Sequence, residues 1–101
     1  VAQGEASYYS NKECSGVTAS GEQFDDTQMT FAMRTGKFNE RYLVVSKTGM
    51  VIVRLNDRGP YAKDKYQKDR VADLSKTAME RIKGDGLVDV TIFKLPQLFN
   101  N

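Results

Sequence analysis

Along most of the chain, apolar and polar residues follow the short period of half-buried strands rather than the period of helices. Gly4–Ser10 (GEASYYS) carries strand-type aromatics and predicts a first strand. Asn11–Gly16 (NKECSG) has turn chemistry. Thr18–Asp26 (TASGEQFDD) is small and polar around Gly21, which predicts a structured loop or an irregular strand. Thr30–Met33 (TFAM) is a short apolar run. Arg41–Lys47 (RYLVVSK) and Met50–Asn56 (MVIVRLN) are two strands joined at Thr48-Gly49, a hairpin. The period changes in Val71–Gly84, where Leu74, Ala78, Met79 and Ile82 fall on one helical face. Ser75 is the expected N-cap, with Leu74 and Met79 as a hydrophobic staple, and Gly84 is the expected left-handed cap at the other end. Gly86–Leu95 alternates Val88, Val90 and Ile92 against Asp89, Thr91 and Phe93, the clearest strand in the sequence. Five or six short strands with one helix before the last predict a mainly β fold, a small barrel rather than a sandwich.

Composition narrows the chemistry. The 101 residues suffice for one domain, with 40% hydrophobic and 28% charged residues. A net charge of +2, from 15 basic and 13 acidic residues, lacks the dense basic face that nucleic acid requires. Histidine is absent, which excludes histidine triads, histidine metal sites and histidine proton shuttles within this chain. The single cysteine, Cys14, has no intrachain disulfide partner. It is read as a thiol in a turn, open to oxidative dimerisation of an otherwise monomeric protein. No metal or other cofactor is expected, and no apolar run is long enough to span a membrane.

Candidate chemistry gathers where the strand Met50–Asn56 stops, in the stretch VIVRLNDRGPY (Val51–Tyr61). Asp57 reads either as an Asx-type turn closing that strand or as an acid lining a groove. Glu22 reads as a solvated loop acid or as its partner. Thr18 and Ser20 are small polar loop residues whose hydroxyls are candidate ligand contacts, and Tyr8, Tyr9 and Tyr61 offer either a stacking surface or buried aromatics. Arg70 and Asp73 read as an ion pair tying a loop to the helix start, with groove-lining by Asp73 as the alternative.

Four motifs in order, GEASYYS, TASGEQFD, VRLNDRGPY and RVADLSKTA, resemble the rare lipoprotein A (RlpA) family over about Gly4–Leu95. The resemblance implies a six-stranded double-psi β-barrel over residues 4–95, with residues 1–3 and 96–101 as tails. Expansins and some glycoside hydrolases share that barrel, so fold alone does not give chemistry. The resemblance further implies a lytic transglycosylase acting on denuded glycan strands of peptidoglycan, exported to the bacterial periplasm or held at the outer membrane as a lipoprotein. Asp57 and Glu22 match the family's two groove acids, Asp57 as acid/base and Glu22 in support. Thr18, Ser20, Tyr61 and Asp73 are the implied substrate contacts. Met33 stands where the family has histidine, and methionine cannot carry a proton. It is counted with the groove residues beside its plain reading as a core methionine. Asn39 stands where a glycine is usual in a tight turn, a position asparagine tolerates. The substitution at Met33 keeps two alternatives open, a glycan-binding barrel that does not cut and an interaction or inhibitor domain using the loop Ala62–Asp69.

Overall fold

The computed structural model describes residues 1–10, 16–60, 69–84 and 86–96. Its strands are β1 (Ala2–Tyr9), β2 (Thr30–Ala32), β3 (Arg41–Val45), β4 (Met50–Asp57), β5 (Arg70–Ser75) and β6 (Val88–Lys94), with α1 (Lys76–Arg81) between the last two. The sheet closes on itself in the order β1-β5-β2-β4-β3-β6. Two pairs are parallel, β1 with β5 and β2 with β4, and the others are antiparallel. This is the expected six-stranded double-psi barrel with one short helix before its last strand.

The interior is filled by residues spaced two apart on each strand. Val51, Val53 and Leu55 of β4 point inward, as do Tyr42 and Val44 of β3, Ala72 and Leu74 of β5, and Val90 and Ile92 of β6. Phe31 of β2 meets Tyr42 edge to face at 5.4 Å between ring centroids. Helix α1 plugs one end through Ala78, Met79 and Ile82. Each large apolar side chain buried here contributes roughly 1.5–3 kcal/mol. At Gly4 the strands β1 and β5 come so close that a Cβ would lie 2.5 Å from the Asp69 carbonyl oxygen, so only glycine fits.

Three expectations change. The sixth strand is Arg70–Ser75, whose first residues the helical period had absorbed; Thr18–Asp26 adds only one isolated bridge, Val17 to Gln23. Strand β1 begins at Ala2, two residues before the expected start at Gly4. The helix begins as expected, with the Ser75 hydroxyl accepting from the Ala78 N–H at 3.2 Å. It ends one residue earlier than expected. Lys83, at φ 60°, takes the left-handed position, and Gly84 follows it. The Lys83 N–H bonds the Glu80 carbonyl at 3.0 Å and the Gly84 N–H bonds the Met79 carbonyl at 3.1 Å, the double closure of a Schellman motif. The Thr48 hydroxyl then donates to the Ile82 carbonyl at 2.6 Å, tying the β3–β4 hairpin to the helix end.

A side chain at a left-handed position costs about 1–2 kcal/mol, and glycine gives back about half of that in chain entropy. Lys83→Gly is therefore expected to raise stability by about 0.5–1 kcal/mol, visible as a rise of a few degrees in Tm. An unchanged or lower Tm would contradict the cap described here.

Candidate active site

The register of the barrel brings four residues into one row. Ser7 of β1 pairs with Asp73 of β5, Asp73 pairs with Ala32 of β2, and Ala32 pairs with Asp57 of β4. Paired residues share a face of the sheet. The neighbouring pair, Phe31 with Leu74 and Leu55, faces the core, so this row faces outward. Asp57 and Asp73 thus stand two strand spacings apart, roughly 10 Å between Cα atoms, with only an alanine side chain between them.

A bulge makes this possible. Phe31 pairs with Leu55 but Ala32 pairs with Asp57, so Asn56 is an extra residue on β4. Its backbone carbonyl accepts from the Ser20 N–H at 3.1 Å, and its side chain is buried, 2% exposed. The loop before β2 is anchored on this irregularity. Asp57 Oδ1 accepts from the backbone N–H groups of Ala19 at 2.9 Å and Arg58 at 2.8 Å. The loop is also closed within itself. The Thr18 N–H bonds the Glu22 carbonyl at 2.8 Å, and the Gly21 N–H, at φ 96°, bonds the Thr18 carbonyl at 3.0 Å.

The three carboxyls sit in different electrostatic settings. Burial pushes Asp73 above the ordinary aspartate range, and the charge of Asp57 pushes the same way. The Ser7 hydroxyl bond and the charges of Arg70 and Arg34 pull back without cancelling the rise. Burial also pushes Glu22 upward, but its partners win and hold it below the ordinary range. Those partners are Arg54, forked onto both carboxylate oxygens at 3.0 and 3.2 Å, and the Asn56 Nδ2 at 2.6 Å. Arg58 turns away from the acids. It stacks on the Phe38 ring, 4.2 Å from its centroid, and donates to the carbonyls of Gly36 at 2.6 Å and Met33 at 3.4 Å.

The remaining candidates divide. Thr18 is buried, and its hydroxyl lies 2.9 Å from that of Ser20 and bonds the Glu22 carbonyl, so it shapes the loop. Ser20 is half-buried on the same turn. Met33 is 6% exposed and packs within the core cluster. Arg70 and Asp73 lie on β5 rather than at a helix start, and no close ion pair between them occurs among the described residues. Tyr9 stacks on buried Phe24 at 4.4 Å, whereas Tyr8 is exposed beside α1, near Lys76, Met79 and Glu80. Tyr61, Cys14 and residues 62–68 of the expected interaction loop lie outside the described residues. Asn39 takes the left-handed backbone expected of it, at φ 74°. The sequence reading missed Ser7, Arg54 and Asn56. Their signal was faint, since a serine, an arginine and an asparagine within strands become site residues only once the register is known. A concave cleft of about 530 Å³, lined by Gln3, Val45, Lys47 and Asp89 among others, includes none of Glu22, Asp57 and Asp73. The acid row lies apart from that cleft, with Asp57 and Asp73 partly exposed and Ala32 buried between them.

Comparison with known proteins decides the family. Residues 1–92 match the lytic transglycolase family. The chain belongs to that family. Curated relatives include the endolytic peptidoglycan transglycosylase RlpA of Escherichia coli K12, 41% identical over 81 residues, covering 78% of this chain and 21% of the relative. The probable endolytic peptidoglycan transglycosylase RlpA of Treponema pallidum is 45% identical over 83 residues, covering 77% of this chain and 24% of the relative. The chain thus spans about a fifth to a third of the length of the curated relatives it matches. Among solved structures, Streptomyces papain inhibitor superposes with TM-score 0.68 at 20% identity, covering 93% of each chain. A mutant Clavibacter michiganensis expansin in complex with cellohexaose gives 0.64 at 16% identity, covering 94% of this chain and 50% of the expansin. At such identities these two likenesses establish the barrel alone.

The raised pKa of Asp73 has a consequence for stability. A carboxyl whose folded pKa lies above its unfolded value stabilises the fold at low pH and loses that contribution as pH rises through the folded pKa. Asp73→Asn keeps an oxygen for the Ser7 hydroxyl and removes the buried charge. It is expected to raise Tm at pH 7 by roughly a few degrees, with the gain shrinking as pH falls through the raised folded pKa and lost by about pH 3. Melting curves at both pH values check this; a loss of Tm at pH 7 would sink it.

Proposed function

We propose that the domain cleaves peptidoglycan glycan strands as a lytic transglycosylase, with Asp57 and Asp73 as its acid/base pair and Glu22 in support. The observation that carries this reading is the outward row Ser7–Asp73–Ala32–Asp57 on a barrel of the lytic transglycolase family. Within that pair Asp73, whose carboxyl holds its proton above the ordinary aspartate range, carries the proton, and Asp57, singled out in the sequence as the acid/base, supplies the neighbouring charge. As a protein acting on peptidoglycan, it works in the cell envelope, in keeping with export to the periplasm or anchoring as a lipoprotein.

The chemistry needs a proton donor first and a base second. Asp73 gives its proton to the oxygen joining N-acetylmuramic acid to N-acetylglucosamine, and the bonding electrons leave with that oxygen. The 6-hydroxyl oxygen of the muramic acid then bonds to the anomeric carbon and closes a 1,6-anhydro ring. Its proton passes to the Asp73 carboxylate, which is reset without any water being consumed. The charge of Asp57 favours protonated Asp73 before cleavage and stabilises the positive charge that develops at the anomeric carbon. Ser7 orients the Asp73 carboxyl through its hydroxyl.

Wild-type protein incubated with peptide-stripped glycan strands is expected to release anhydro-terminated products, read by mass spectrometry. Asp57→Asn and Asp73→Asn are each expected to lower the rate by about 10²–10⁴. Because Asp73 must enter protonated, the rate is expected to fall as pH rises through its raised pKa, and Asp57→Asn to shift that fall to lower pH. Absence of anhydro products from wild type at high protein concentration would overturn the reading.

One observation favours a second reading, a glycan-holding barrel that does not cut. Met33, at the position where RlpA proteins are expected to carry histidine, is buried in the core and carries no proton. Co-sedimentation of wild type with denuded sacculi, without product release, would select it. Met33→His is expected to cost about 1–3 kcal/mol of stability, read as a lower Tm. A variant that melts like wild type while cutting faster would place this position at the substrate rather than in the core.

A further inference from the structure

Glu22 is held by more donors than a loop acid requires. Arg54 reaches both of its carboxylate oxygens, and Asn56 reaches Oε1. Arg54 is itself fixed from behind, because its Nη1 also donates to Asn39 Oδ1 at 2.9 Å. Asn39 is fixed in turn by its left-handed backbone and by its N–H on the Leu55 carbonyl at 2.8 Å. Asn56 is buried at the bulge, and its Oδ1 has no hydrogen-bond partner among the described residues. A buried amide that leaves its own acceptor unmade carries a cost, and what it delivers in return is the single donor to Glu22.

We propose that Asn39, Arg54 and Asn56 are positioning residues that preset Glu22 as a hydrogen-bond acceptor for a neutral donor of the bound glycan, a sugar hydroxyl or an N-acetyl N–H. A carboxylate offers about four acceptor sites. Hydrogen bonds from Arg54 Nη2 and Asn56 Nδ2 occupy two of them, Arg54 Nη1 adds an ion-pair contact to Oε1 at 3.0 Å while its own hydrogen bond goes to Asn39, and the Glu22 side chain remains 37% exposed, so acceptor capacity is left facing outward. With a guanidinium already paired to it, Glu22 has no need of a second cation, and its remaining acceptor capacity suits a neutral donor. The same clamp keeps Glu22 out of the proton-donating role and leaves that role to the aspartate pair. This inference rests on the glycan reading above but concerns only how Glu22 is held and what it accepts.

The test has two readouts on the full chain. Carbon-detected NMR titration of the Glu22 carboxyl, which needs no activity, is expected to show its pKa rising in Arg54→Gln and in Asn56→Ala. Arg54→Lys, which restores the charge without the fork, is expected to fall between them and wild type. Binding to denuded glycan strands is expected to weaken about ten- to a hundredfold in Glu22→Gln and in Arg54→Gln. Asn39→Gly, which suits the left-handed backbone and removes the side chain with its Oδ1, is expected to weaken it less. Failure of wild type to release anhydro products, with binding and its variant losses intact, would overturn transglycosylation and leave the clamp standing. A Glu22 titration unmoved in Arg54→Gln, glycan binding equal to wild type in that variant, or no binding by wild type would each overturn the clamp.

Discussion

One extra residue in β4 sets the position of everything at the acid site. In a strand of regular alternation, Leu55 facing the core would put Asp57 on the same side, where an unpaired carboxylate costs several kcal/mol. Inserting Asn56 lets both residues face where their chemistry belongs, Leu55 inward and Asp57 outward beside Ala32. The insertion also frees a carbonyl from the ladder, and the Ser20 N–H takes it, so the loop carrying Glu22 is registered on the bulge itself. Backbone geometry, rather than attraction between the charged groups, brings the carboxyls into one neighbourhood.

From that neighbourhood the electrostatics diverge. Glu22 lies against a guanidinium and an amide that outweigh its desolvation. Asp73 is desolvated with a hydroxyl as its hydrogen-bonding partner, and a second aspartate adds to the penalty on its charged form. Two carboxyls of similar intrinsic acidity are thereby driven in opposite directions, a separation that acid/base chemistry exploits. The same separation sets stability against function. Glu22 with Arg54 strengthens the fold above acid pH, and Asp73 weakens it there, so the carboxyl suited to donate a proton is also the one the fold bears at a cost.

Much of this was legible in the residues. The β3–β4 hairpin, the Ser75 cap and the strand Val88–Lys94 followed from local patterning, because each is decided by neighbours in sequence, whereas the turn at Asn39 was expected from the family resemblance. Strand β5 was obscured because Leu74 serves two elements, ending a strand while fitting the helical period of the residues after it. Asp73 was therefore set at a helix start, when it lies mid-sheet beside Ala32. The cap at Lys83 was hidden because Gly84 is the more obvious candidate. Gly84 is constrained differently, since a Cβ there would lie 2.4 Å from the Met79 sulfur. The partners Ser7, Arg54 and Asn56 depend on strand order and on a bulge, which are properties of the closed sheet.

The dipeptide Asp57-Arg58 carries opposite charges that never meet. The aspartate holds the turn from Thr18 to Glu22 through the Ala19 N–H, and the arginine holds the segment from Met33 to Phe38 through two carbonyls and a ring. Two adjacent residues therefore act as a cross-brace between the loops on either side of a strand end. The spacing of those loops is fixed by one short length of backbone, and neither can shift without straining the other. The gap between those loops is thus written into two consecutive codons, and change at either one would be felt first in how far apart the two loops stand.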